Sequence, residues 1–154
     1  MKNDKGLKGL NTLRNEALAI ATSHGFTDAT VGEDAALMHS ELSEMLEDHR
    51  EGKKPTEVWY EEKVLAYDIE GKAILLDGKQ ATVSVRYAEQ YRRKADGGFD
   101  YSTPRKMCGI PSELADVIIR VLHFAGKHGI DIEEAVNTKS NYNSSRPFKH
   151  GKIL

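Results

Sequence analysis

This sequence predicts a mainly α fold: a bundle of four helices with a small β-hairpin, or a two- to three-stranded sheet, inserted between the second and third. Three observations predict it. Apolar residues recur every three or four positions in three stretches that end at glycine, a fourth stretch opens on a capping box and ends at proline, and the stretch between the second and third alternates instead. With 154 residues the chain has the size of one domain, read here as a single domain over 1–154 with an insertion at about 61–106.

The first helix is expected over Leu7 to His24, where Leu7, Leu10, Leu13, Ala17, Leu18 and Ala21 fall on one side and Gly25 ends the pattern. Thr30, three residues before Glu33, forms the pattern of a capping box for the second helix. Ala35, Leu37, Met38, Leu42, Met45 and Leu46 supply its apolar side as far as Gly52. Val64, Leu65, Tyr67 and Ile69, then Ala73 to Leu76, then Val83, Val85 and Tyr87 read as two or three short strands broken by "EGK" and "DGK". "RRKADGGFDYSTPRK" shows no period and reads as a loop. Helix three follows Pro111, with Leu114, Val117, Ile118, Val121, Leu122 and Ala125 on its apolar side and a stop at Gly129. Asp131, three before Glu134, caps a short fourth helix that ends before Pro147.

Composition excludes several classes of function. Charged residues are 30% of the chain but the formal net charge is −2, which argues against nucleic acid as the main partner. One cysteine, Cys108, allows no internal disulfide. No stretch approaches the roughly 18 apolar residues of a membrane span, and the start "MKNDKGLKGL" lacks a signal-peptide core. A cytoplasmic protein is expected.

The chemistry is suggested by carboxylates. On helix two Glu41, Glu44 and Asp48 stack at spacings of three and four, where like charges repel by roughly 0.2–0.5 kcal/mol per pair. Helix three repeats the feature with Glu113 and Asp116. One such pair is ordinarily a solvated face, whereas two pairs on helices packed through their apolar sides could converge on a hard, oxygen-preferring cation. His39, two residues before Glu41, lies on another side of the helix, and Trp59 and Tyr60 read as core or base-stacking residues.

"ELSE" (Glu41, Glu44), "ELAD" (Glu113, Asp116) and the tail "KSNYNSSRPFKHGK" together resemble the E-x-x-E, E-x-x-D and K-x-x-x-N-x-x-R-P signatures of the MazG-like all-α nucleoside triphosphate pyrophosphohydrolases. The resemblance covers roughly residues 30–60 and 107–152, and departs from the family in the long stretch 61–106. It implies hydrolysis of a nucleoside or deoxynucleoside triphosphate to the monophosphate and pyrophosphate, in nucleotide-pool control or house-cleaning. The cofactor implied is Mg²⁺, with Mn²⁺ as a substitute. Carried over by position, Glu41, Glu44, Glu113 and Asp116 hold metal and serve catalysis, while Lys139, Asn143 and Arg146 hold substrate phosphates or sugar, with His150 a further candidate. A homodimer or homotetramer is implied. The competing reading is a non-catalytic helical oligomerisation module whose insertion recruits a macromolecule.

Overall fold

A computed structural model describes residues 8–147. Leu7, taken above as the start of the first helix, and His150 lie outside them. The described residues order as α1 (Leu10–Ser23), α2 (Val31–Arg50), β1 (Trp59–Leu65), β2 (Leu75–Leu76), β3 (Lys79–Gln80), β4 (Thr82–Tyr87), β5 (Arg92–Arg93), β6 (Phe99–Asp100), β7 (Lys106–Cys108), α3 (Ile110–Lys127) and α4 (Ile132–Ser144).

The mainly α expectation is therefore corrected: the protein is mixed α/β. Among the described residues four helices are accompanied by seven strands in three small antiparallel sheets, ordered β4-β1-β7, β2-β3 and β5-β6. The extra strands escape the sequence pattern for a physical reason. β2, β3, β5 and β6 have two residues each, too few to display a period of two, and β7 has three. Part of the expected loop at 92–106 is likewise ordered, as the β5-β6 hairpin and the start of β7.

The helix ends follow local chemistry. Thr30 Oγ1 accepts from the Glu33 N–H at 3.3 Å while Glu33 Oε2 accepts from the Thr30 N–H at 2.7 Å, a reciprocal capping box before Val31. Asp131 caps α4 by accepting from the Glu134 N–H at 2.9 Å. Gly25, Gly52 and Gly129 follow α1, α2 and α3 in the left-handed region, where a side chain would be strained.

The chain divides into two compact units, the described residues of 1–40 with 116–147, and residues 41–115. In the first, α1 packs on α4: Asn11 donates its side-chain amide to Asp131 and its backbone N–H to Glu133, and Arg14 donates to the Ile130 carbonyl. Leu122 and Ala125 of α3 are buried, and a Cβ at Gly126 would stand 3.0 Å from Leu18 Cβ, so the missing side chain permits a close helix approach. Asp34 is 6% exposed and accepts from Lys127 Nζ at 2.6 Å, which also reaches the Ala29 carbonyl.

The second unit is built on β1. It pairs antiparallel with β4 from Tyr60↔Tyr87 to Leu65↔Thr82, and with β7 through Trp59↔Cys108, Tyr60↔Met107 and Glu61↔Lys106. Arg105 ties the following loops to this sheet. It is paired with Glu62 at 3.2 Å, donates to the Glu89 and Tyr91 carbonyls, and lies 3.6 Å from the Tyr87 ring centre; Arg92 pairs with the same Glu62. No helix of the described residues is long and apolar enough to cross a membrane.

Candidate metal centre

Glu41 and Glu44 belong to α2, and Glu113 lies in the first turn of α3. Within the second unit the three side chains meet: one carboxylate oxygen from each lies within 4.8 Å of the other two. Glu41 is 7% exposed and Glu113 8%, while Glu44 is open to solvent. Three oxygen donors gathered in this way could hold a hard divalent cation, with Glu44 on the solvent side.

Strands β1 and β4 of the same unit carry polar and aromatic contacts. Trp59 donates its indole N–H to Glu61 Oε1 at 2.8 Å, and Ser84 donates to Glu61 Oε2 at 2.9 Å. These bonds, the indole N–H first, hold the Glu61 carboxyl below its ordinary range. Lys53 and Arg86 lie over the Trp59 ring. Burial pushes the Cys108 thiol up, helped by the negative charges of Glu61 and Glu113, so this cysteine is a neutral, unreactive group.

Of the four acids expected from the sequence, the structure brings three together. Asp116, one turn after Glu113 in α3, is half-buried and outside the group, and Asp48, the third stacked acid of α2, is also outside it. Lys139 and Asn143 stand in α4 and Arg146 just beyond it, in the other compact unit. Lys139 and Arg146 lie 5.3 and 5.8 Å from the ring of the exposed Tyr142. Sequence reasoning passed over Gly109, whose left-handed backbone (φ +103) directly precedes α3. The signal was present, a glycine ahead of a proline at a helix start.

No described protein family, characterised protein or solved structure matches the chain.

Proposed function

We propose that this protein is a metal-dependent nucleoside triphosphate pyrophosphohydrolase of the MazG-like type, cleaving (deoxy)nucleoside triphosphates to the monophosphate and pyrophosphate. The observation that carries the reading is the meeting of Glu41, Glu44 and Glu113 from two helices, two of them buried. Three convergent carboxylates, two buried and one open to solvent, suit a site that holds Mg²⁺ or Mn²⁺. The resemblance of "ELSE", "ELAD" and the tail to that family's signatures supports the substrate class.

A divalent cation held by Glu41, Glu44 and Glu113 would supply charge neutralisation for phosphoryl transfer and would acidify the attacking water. The residues of this chain do the rest. Glu41 and Glu113, both buried, fix the site's position, and the exposed Glu44 can orient a water by accepting a hydrogen bond from it. Asp116 is assigned to the same chemistry by its motif alone. Lys139 and Arg146 offer cationic donors and Asn143 an amide to phosphate or sugar oxygens.

A homodimer or homotetramer belongs to the proposal, supported by Leu114, Ile118 and Ile119 standing exposed on α3. So does a cytoplasmic setting, where nucleoside triphosphates are held. The test is pyrophosphate release from a panel of ribo- and deoxyribonucleoside triphosphates with Mg²⁺, with Mn²⁺ and with chelator. Metal-dependent release that Glu113→Gln removes is expected; a folded protein that releases none from any of them refutes the reading. Light scattering that finds a monomer at micromolar concentration refutes the assembly.

A further inference from the structure

The β7-to-α3 turn is fastened to β1 more tightly than a connecting loop requires. Trp59 pairs with Cys108, the residue before Gly109. A Cβ on Gly109 would collide with the Glu57 carbonyl oxygen and stand 3.0 Å from Trp59 Cζ3, so the chain crosses the entry to β1 at a distance only glycine permits. The Gly109 carbonyl then accepts from the Ser112 N–H at 2.7 Å and the Glu113 N–H at 3.3 Å, opening α3. Ser112, itself buried, donates its hydroxyl back to the Met107 carbonyl of β7 at 3.0 Å. Glu113 is the next residue.

We propose that Gly109 and Ser112 are positioning residues for the carboxylate centre: by locking the first turn of α3 to β1 and β7, they set where Glu113 stands with respect to Glu41 and Glu44. The inference rests on the metal reading given above and adds that the sheet is part of the site's framework. The argument is geometric. Glu113 joins the group from the first turn of α3, where helices fray unless their ends are held. Here the hold comes from a strand on one side and a carbonyl contact on the other. A shift of one ångström in that turn is large for a coordination shell whose Mg²⁺ distances are about 2.0–2.1 Å.

The test reads metal rather than turnover. Mn²⁺ binding is followed by the electron paramagnetic resonance signal of free Mn²⁺, and Trp59, the chain's only tryptophan, reports the turn by fluorescence. Gly109→Ala is expected to weaken Mn²⁺ binding at least tenfold and to shift Trp59 emission while the helical circular dichroism is retained. Ser112→Ala is expected to weaken it severalfold, and Ser112→Thr, which keeps the hydroxyl, to return it to within twofold of wild type. If Gly109→Ala does not fold, the Ser112 pair decides. Folded Gly109→Ala or Ser112→Ala protein that binds Mn²⁺ like wild type overturns the positioning and leaves the metal reading standing. So does Ser112→Thr as weak as Ser112→Ala. Wild-type protein with no Mn²⁺ affinity removes the metal reading itself, and the positioning with it.

Discussion

Two carboxylates on α2 are almost equally hidden and are met in opposite ways. Asp34, 6% exposed, accepts from the ammonium of Lys127 at 2.6 Å; Glu41, 7% exposed, meets two further carboxylates within 4.8 Å. The first arrangement is an ion pair, complete in itself and explicable as structure. The second gathers three carboxylates from two helices, an arrangement of oxygen donors that a divalent cation could use, and the proposed chemistry is built on it.

The comparison can be broken first at Asp34. Lys127→Met leaves that carboxylate buried without its ammonium partner, and a loss of about 3–5 kcal/mol in unfolding free energy is expected, measured by urea denaturation. Adding Asp34→Leu should recover most of it. A single variant as stable as wild type would show the pair to be ornamental.

The opposite sign is expected at the acidic centre. Glu41→Gln and Glu113→Gln should leave stability unchanged or raised in chelator, because each removes like-charge repulsion, yet lower pyrophosphate release by about 10²–10³-fold, the usual scale for deleting one preorganised electrostatic group. Glu44→Gln, at the exposed position, should gain less stability and lose a comparable amount of activity, and Asp116→Asn tests whether the motif's fourth acid matters although it stands outside the group. Thermal melts paired with initial rates separate these outcomes. A glutamine variant that melts far earlier would mark its residue as structural.

What was legible in the sequence follows from range. Thr30 with Glu33, and Asp131 with Glu134, are capping pairs three residues apart, and Gly25, Gly52 and Gly129 stop helices through their own backbone. Such local chemistry can be read without a fold. Pairings such as Trp59 with Cys108, or Glu62 with Arg105, join residues that no periodicity connects, and strands of two residues carry no pattern. Of the candidate site, Glu41, Glu44 and Glu113 stand out in the sequence by helical spacing and motif, whereas their meeting and burial depend on packing, and the fastening at Gly109 depends on a contact with Glu57.

A smaller effect is expected at Arg105, whose side chain is 10% exposed and which joins Glu62, two carbonyls and the Tyr87 ring. Arg105→Met should destabilise by about 1.5–3 kcal/mol, the scale of hydrogen bonds to a charged group, with most of the change local to 87–106 in amide exchange. Smallest is a pH effect at Asp131. Its carboxyl is held below the ordinary range, first by the Glu134 N–H and then by the Asn11 amide. A depressed folded value means that its contribution is complete above the unfolded carboxyl pKa and is lost as pH falls through the lower folded one. The stability advantage of wild type over Asp131→Asn should therefore shrink on the acid side, as seen in melts between pH 5 and 2, and stay constant from pH 5 to 7.

Because β1 is the middle strand of its sheet, the order in which its two neighbours arrive matters for how the chain assembles. β1 reaches β4 across a short intervening segment, since Leu65 and Thr82 are about 17 residues apart, whereas Glu61 and Lys106 are about 45 apart. Closing the longer loop directly carries about 0.9 kcal/mol more entropy loss. Once β4 has docked, the remaining gap from Tyr87 to Lys106 is nearly as short as the first, and β7 can close at little extra penalty. Pulsed hydrogen exchange should thus find the β4 amides protected before those of β7, with the start of α3, and Glu113 with it, the last part of this unit to be fixed in place.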